Sequence, residues 1–162
     1  MMNYQQNAED AKRYRPKVIW HILNSYDRKT AERTVVYKNF KHIYSKHLNV
    51  AEDTMLIKFK KTNVRAVTTF ISDKRRIAEM IVECLMTHID EICEYVADEE
   101  DTEFFYIEES LPDDVAGCGF KRGMEGIQSM NKYVIILGKD GKTPFYLRNA
   151  YPVVDYLDVT DF

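Results

Sequence analysis

The stretch SDKRRIAEMIVECLMTHIDEICEYV, residues 72–96, constrains the fold more than any other part of this sequence. From Ile77 to Val96 its apolar residues recur at steps of three and four, which is the spacing of one broad helix face. The serine and aspartate at its start are both suited to cap the first turn. The pattern predicts one long central helix, with His88 on the apolar face as a structural histidine.

Three segments rich in aromatic and β-branched residues predict an antiparallel sheet after this helix. They are EFFYIEE, KYVIILG and PFYLRNAYPVV, and the GKDGK between the last two is typical of a hairpin turn. Ahead of the central helix, RAVTTFIS predicts a strand and VAEDTMLIKFKK predicts a short helix or turn. Two earlier helices are predicted, one with Pro16 in its first turn and one from Thr30 to a stop at Asn49. Segregated helices and strands indicate an α+β fold.

Length and hydropathy set the domain organisation. A chain of 162 residues with 45% hydrophobic residues is typical of one globular domain, so we expect a single domain over residues 1–162. Its helical N-terminal part would cover about residues 1–50. No apolar run approaches the roughly 20 residues that span a bilayer, and the N-terminus lacks a signal-peptide pattern. We therefore expect a soluble protein without a membrane-spanning segment.

The three cysteines, Cys84, Cys93 and Cys118, are odd in number and form no CxxC pair. This favours reduced thiols over a disulfide framework or a zinc knuckle. Cys84 and Cys93 fall in the predicted central helix, where we interpret them as buried small apolar residues. We expect no metal site and no cofactor.

The net charge of −3 conceals a strong partition along the chain. Residues 11–76 contain 17 lysines and arginines against 5 acidic residues, a balance of +12. Residues 77–119 contain 14 acidic residues and no lysine or arginine, a balance of −14. A basic half can bind a polyanion, but two oppositely charged surfaces can equally attract each other within the fold.

The basic half carries two histidines, His42 and His47, in the segment HIYSKH. Residues five apart on a helix point about 140° apart, so this pair does not fit a two-histidine zinc site. An imidazole titrates near neutral pH and suits acid–base catalysis, while cations can stabilise charge on a phosphate oxygen. The candidate cations are Lys58, Lys60 and Lys61. The alternative is a structural role for both histidines, with the lysines on a solvated face.

Four short motifs occur in order over roughly residues 40–153: HIYSKHLNV, LIKF, TTF followed by SDK, and YLRNAYPV. In this order they resemble the RNase A-like C-terminal toxin domains of contact-dependent growth inhibition (CdiA-type) and related bacterial polymorphic toxins. The resemblance implies a pancreatic-ribonuclease-like fold without disulfides. It also implies a metal-independent ribonuclease that a cognate immunity protein neutralises.

The resemblance places the catalytic motifs within residues 42–151. The family's catalytic positions fall on His47, Lys58, Asn149 and Tyr151, where Lys58 replaces an arginine and Asn149 replaces a threonine. His42 is the candidate for a second acid–base group, although a helix face is expected to separate it from His47. For substrate binding the candidates are Thr69, Lys60 and Lys61.

We therefore expect an endoribonuclease toxin that cleaves RNA through its 2′-OH and leaves a 2′,3′-cyclic phosphate. Its substrate would be RNA, with tRNA as one candidate. It would act in the bacterial cytoplasm after delivery from another cell as part of a larger secreted toxin. One alternative is a catalytically inactive RNA- or protein-binding module on the same fold. Another is a partner-binding protein whose active surface is the acidic segment DEEDTEFFYIEESLPDD.

Overall fold

A computed structural model describes residues 4–24, 26–27, 32–33 and 40–154 of the chain. Helices and strands occupy separate parts of the sequence, which confirms the predicted α+β class. The elements in chain order are α1 Tyr4–Asn24, β1 Tyr26–Asp27, β2 Glu32–Arg33, α2 Phe40–Lys46, α3 Glu52–Lys61, β3 Ala66–Ile71, α4 Lys74–Thr87, α5 Ile89–Ala97, β4 Phe105–Ser110, β5 Ala116–Lys121, β6 Gln128–Met130, β7 Lys132–Gly138 and β8 Tyr146–Val153.

The predicted central helix consists of two helices, α4 and α5. They are divided at His88, whose backbone angles of φ −99° and ψ 23° are not helical. Both ring nitrogens of His88 bond carboxylates, Nδ1 at 3.2 Å from Glu91 and Nε2 at 2.5 Å from Glu109, and these bonds hold the junction. The predicted cap is confirmed at Asp73, whose carboxylate accepts a hydrogen bond from the Arg76 amide at 2.8 Å.

The N-terminal helices differ from the prediction. Helix α1 begins well before Pro16, which lies inside it instead of in its first turn. The buried Val18 and Ile22 follow the proline and belong to the main core, so packing maintains the helix despite one lost backbone bond. The helix predicted from Thr30 is wrong at its start, because Glu32–Arg33 pairs as a strand with Tyr26–Asp27. Residues 30–31 and 34–39 of that prediction lie outside the described part of the chain.

The strands form two three-stranded antiparallel sheets, ordered β4-β7-β8 and β3-β5-β6. All four predicted strands are present, and β7 and β8 pair on either side of the predicted hairpin segment. Strands β5 and β6 were not predicted, because AGCGFK lacks β-branched residues. Its Gly119 lies so close to β3 that a Cβ there would be 2.2 Å from the Val67 carbonyl oxygen. Strand β5 therefore forms because it pairs with β3 and β6, and not because its residues prefer an extended backbone.

The two sheets meet where β3 and β8 touch. The Thr68 hydroxyl on β3 donates a hydrogen bond to the Pro152 carbonyl on β8 at 2.7 Å. One large apolar cluster joins α1, α4 and α5 to one face of the β4-β7-β8 sheet. The other face of that sheet carries a small apolar cluster built around Val134, Ile136 and Tyr151. This second face is the one that faces the histidine segment.

Helix α3 packs on the β3-β5-β6 sheet through Met55 and Phe120. Its C-terminal end is held by Arg122, whose Nη2 donates to the Phe59 carbonyl at 2.6 Å and also bonds the Thr62 carbonyl. The Nε of Arg122 donates to the Val64 carbonyl at 3.1 Å. The helix dipole favours a cation at the C-terminal end of a helix, where the last carbonyls lack helical partners.

The three cysteines are free thiols, as predicted, and none of them forms a disulfide. None of the helices in the described ranges has both the length and the apolar character needed to cross a membrane.

Candidate active site

His47 stands immediately after α2, where the chain leaves the helix and joins the edge of β3. Its amide still donates to the Ile43 carbonyl at 2.8 Å, which is the last helical bond. Its own carbonyl then accepts from the Phe70 amide at 2.7 Å, and the Asn49 amide donates back to the Phe70 carbonyl at 2.8 Å. Asn49 adopts a left-handed φ of 50°, consistent with the predicted helix stop. Backbone bonds on both sides thus fix the position of His47.

The His47 imidazole is almost fully enclosed, with 8% of the residue exposed. Its Nδ1 lies 3.5 Å from the Thr68 carbonyl oxygen, a long contact. Its Nε2 is buried and has no hydrogen-bond partner among the residues that the structure describes. A buried polar atom without a partner is costly, so it marks a position where a ligand group is expected.

The electrostatic surroundings keep His47 neutral at neutral pH. Burial first, and then the nearby charge of His42, lower the pKa of His47 to about 3. The charges of Lys58 and Lys46 act in the same direction, and the bond to the Thr68 carbonyl opposes them. A neutral imidazole with an available nitrogen can accept a proton from a bound hydroxyl.

His42 and His47 lie side by side. Their ring centroids are 5.4 Å apart, with the ring planes inclined at 66°. The expectation that a helix face separates them is wrong, because the two imidazole rings are in contact. The structure therefore pairs two acid–base side chains of different burial, since His42 is partly exposed.

Tyr151 and Asn149 lie on β8, on the sheet face that His47 contacts. The Tyr151 ring is 5.1 Å from that of His47 and tilted by 36°. Asn149 is two residues before Tyr151 on the same side of the strand, about 7 Å away along it. Asn149 is 1% exposed, and its side-chain oxygen accepts a hydrogen bond from the Ala150 amide at 2.9 Å.

Of the three candidate lysines, Lys58 is the one that acts on His47. Its charge lowers the pKa of His47, and burial followed by the charge of Lys46 lowers the pKa of Lys58 itself. Lys60 and Lys61 are both exposed. At 100° per residue, Lys60 lies about 200° around α3 from Lys58, on the opposite side, whereas Lys61 lies about 60° from it. The sequence analysis missed Lys46, although its place directly before His47 was the available signal.

Thr69 and Thr68 make different hydrogen bonds around the site. The Thr69 hydroxyl is buried, accepts from the Val50 amide at 3.0 Å and donates to the Phe70 carbonyl at 3.2 Å. It therefore ties the chain after His47 to β3. Thr68, which the sequence analysis did not select, contacts His47 through its carbonyl and links β3 to β8 through its hydroxyl. Alternation along the strand places these two side chains on opposite faces.

The residues of this site lie within a segment that matches a known family. A sequence model described as the bacterial CdiA-CT RNAse A domain matches residues 41–152, which is most of the chain and includes His42, His47 and nearly all of β8. The chain belongs to the bacterial CdiA-CT RNase A domain family. This membership confirms the resemblance drawn from the motifs, and it supports a ribonuclease toxin.

A solved structure of a related protein shows the same fold. It is the crystal structure of a CdiA-CT/CdiI complex from Y. kristensenii 33638, and the match covers 69% of this chain and 98% of that chain. The TM-score is 0.60 and the sequence identity is 18%. At this identity the match shows a common CdiA-CT fold and leaves the details of the site to the residues themselves. No curated protein sequence matches the chain.

Proposed function

We propose that this CdiA-CT domain is a metal-independent endoribonuclease that cleaves RNA by attack of the 2′-OH on the adjacent phosphate. The observation that carries the proposal is the buried His47. Its ring contacts those of His42 and Tyr151, and its Nε2 has no hydrogen-bond partner in the described part of the chain. Histidine acid–base chemistry on RNA needs no ion, because the 2′-OH supplies an internal nucleophile. The single domain would extend over residues 1–162.

In the proposed reaction, neutral His47 accepts the proton of the 2′-OH as the O2′–P bond forms. The P–O5′ bond breaks, and protonated His42 donates its proton to the departing oxygen. The products are a 2′,3′-cyclic phosphate and a 5′-hydroxyl. A pKa of about 3 is low for a general base, but a bound phosphate places negative charge beside His47 and raises its pKa towards the useful range.

Charge on the phosphorane would be stabilised by Lys58 and by the amide of Asn149. Lys58 offers a point charge without the bidentate fork of an arginine, and Lys46 adds a second cation nearby. An asparagine NH₂ can donate to a phosphoryl oxygen, as the hydroxyl that it replaces would. Tyr151, in ring contact with His47, would orient the imidazole or relay a proton.

Substrate binding would extend over the exposed lysines at the end of α3. Lys60 and Lys61 are exposed and would attract RNA phosphates without selecting a sequence. Thr69 would contribute by positioning the segment after His47, since its hydroxyl already makes two bonds. The substrate class is RNA, with tRNA as one candidate.

The partner and the place of action follow the same reasoning. The related solved structure is a complex of CdiA-CT with CdiI, and we extend this to a cognate immunity protein for the present chain. Such a protein would cover the basic surface around His47 and Lys58 with carboxylates. The domain would act in the bacterial cytoplasm after delivery from another cell as part of a larger toxin.

A second candidate function is an inactive RNA- or protein-binding module. The observation that favours it is Asn149, which is buried and already bonds the Ala150 amide through its side-chain oxygen. The departures from the family pattern at Lys58 and Asn149 leave room for this candidate, although both replacements keep a hydrogen-bond donor. This candidate predicts RNA binding without cleavage.

The deciding experiment is cleavage of RNA by the purified full chain in excess EDTA, with analysis of the ends. We expect 2′,3′-cyclic phosphate and 5′-hydroxyl ends, and His47→Asn should abolish them. His21→Asn is the matched control, because His21 is also buried, at 4% exposure, and bonds the Phe145 carbonyl at 2.8 Å outside the site. Binding without any cleavage would support the second candidate. A strict need for Mg²⁺, with 3′-hydroxyl products, would overturn the proposed mechanism.

A further inference from the structure

A second cluster of reactive side chains lies away from the histidine pair. It consists of Cys84 on α4, His88 at the junction of α4 and α5, and Glu109 on β4. One donor atom from each, a thiol sulfur, an imidazole nitrogen and a carboxylate oxygen, lie within 4.8 Å of one another. Thiolate, imidazole and carboxylate form a donor set typical of Zn²⁺ and related divalent ions.

This cluster is on the opposite face of the β4-β7-β8 sheet from His47. Glu109 is directly paired with Tyr133, so both side chains lie on the face that packs against the helices. The next residue, Val134, points to the other face, where it pairs with Tyr151. The two sites are therefore separated by the thickness of the sheet.

Neighbouring side chains orient the donor atoms of the cluster, as they do in known metal sites. The Nδ1 of His88 lies 3.2 Å from a Glu91 carboxylate oxygen, which orients the ring and directs Nε2 towards the cluster. Carboxylate–imidazole pairs of this kind support metal-binding histidines. On the other side, the thiol of Cys84 shares a hydrogen bond with the buried hydroxyl of Tyr133. The imidazole of His88 is thus oriented by Glu91, and the thiol of Cys84 is oriented by Tyr133.

Access and spacing are also suitable. Cys84 is 6% exposed, whereas the side chains of His88 and Glu109 are 18% and 39% exposed, so an ion can enter from the Glu109 side. Cys84 and His88 are four residues apart and therefore share one helix face. The sequence analysis did not find this set, because its third member comes from a strand 21 residues after His88.

We propose that Cys84, His88 and Glu109 bind one Zn²⁺-class divalent ion, with a water molecule in the fourth position. On binding, the thiol of Cys84 loses its proton, and the ion takes the place of the proton between His88 and Glu109. Metal–ligand bonds of about 2.0–2.3 Å require the His88 and Glu109 donors to move apart from their 2.5 Å contact. The ion would join the α4–α5 junction to β4 and stabilise the fold, with no part in RNA cleavage.

Co²⁺ is the probe for this site, because a thiolate ligand gives a charge-transfer absorption. The full chain, first treated with EDTA and dialysed, should develop this absorption up to one equivalent of Co²⁺ and lose it on addition of Zn²⁺. Zn²⁺ should also raise the melting temperature. Cys84→Ser should abolish the absorption, whereas Cys93→Ser, which removes a buried thiol outside the cluster, should retain it.

Glu91→Gln gives a milder test, since the Glu91 side chain is 62% exposed and its replacement leaves the core intact. Loss of this orienting carboxylate should weaken Co²⁺ binding by about 10- to 100-fold. Absence of the charge-transfer absorption in the wild-type chain, or its survival in Cys84→Ser, would overturn the proposal. An affinity unchanged in Glu91→Gln would likewise contradict the assigned geometry and leave the His88–Glu109 contact as an ion pair.

Discussion

His42 and His47 are in edge contact, with ring centroids 5.4 Å apart, although only His42 belongs to helix α2. The two rings differ in environment, because His47 is enclosed between β3 and β8 and His42 is partly exposed. Two neighbouring imidazoles could supply the base and the acid of the proposed 2′-OH transphosphorylation.

The buried His47 should make the fold sensitive to acid. Its pKa of about 3 lies below the ordinary value of 6.5, so the unfolded chain binds more protons than the native one between these values. Stability should therefore decrease as the pH falls from 6.5 towards 3, by at most about 1.4 kcal/mol per pH unit from this group. Urea unfolding of wild type and His47→Gln from pH 7 to pH 4 measures this pH dependence of the free energy of unfolding. The variant should show the shallower pH dependence, and equal slopes would contradict the low pKa.

Lys58 should contribute to cleavage through its charge. Lys58→Ala should lower kcat by roughly 100-fold, the effect of removing one group that stabilises transition-state charge. Lys58→Arg should preserve activity, because a guanidinium adds a bidentate donor at the same place. Lys60→Ala is the matched control on the other side of α3, and it should alter mainly the salt dependence of binding. Single-turnover cleavage at fixed ionic strength distinguishes these variants, and an active Lys58→Ala would remove Lys58 from the mechanism.

The hydroxyl and the ring of Tyr151 should have separable effects. Tyr151→Phe keeps the ring against His47 and should cost about 1 kcal/mol of stability while slowing cleavage. Tyr151→Ala also removes a ring that is 3% exposed, and it should cost about 3–5 kcal/mol. Denaturant melts and cleavage rates of both variants provide the comparison. Cleavage by Tyr151→Phe at the wild-type rate would restrict Tyr151 to packing.

Arg122 should stabilise the helix that carries Lys58. Arg122→Ala removes the bonds to the carbonyls at the end of α3 and the contact of its guanidinium, 3.9 Å from the Phe59 ring centre. We expect a loss of about 2 kcal/mol in the free energy of unfolding, since three backbone carbonyls lose their donor together with the ring contact. Arg122→Lys should recover part of it, because one charge remains near the helix end. Chemical denaturation measures both changes, and no loss in Arg122→Ala would show that solvent replaces the guanidinium.

Much of the fold and part of the site could be predicted from sequence because they depend on local pattern. The three- and four-residue apolar spacing indicated the helical residues from Ile77 to Val96, and a run of aromatic and β-branched residues indicated β4, β7 and β8. Asp73 was recognisable as a cap because the capping bond spans only three residues. The ordered motifs around His47 and Tyr151 indicated the family for the same reason, since they are short contiguous strings.

Other features were decided by tertiary structure, because they depend on residues far apart in the chain. His88 interrupts the central helix where Glu109, 21 residues later, reaches its ring. Strand β5 exists because Gly119 allows it to approach β3, and not because AGCGFK favours an extended chain. The Thr68 carbonyl lies against His47, and the Thr68 hydroxyl bonds the Pro152 carbonyl, because β3 and β8 meet at this residue. A helical wheel places His42 and His47 about 140° apart, yet their rings are in contact in the folded chain. Periodicity determines which residues form each element, whereas long-range pairing determines which elements, and so which side chains, meet.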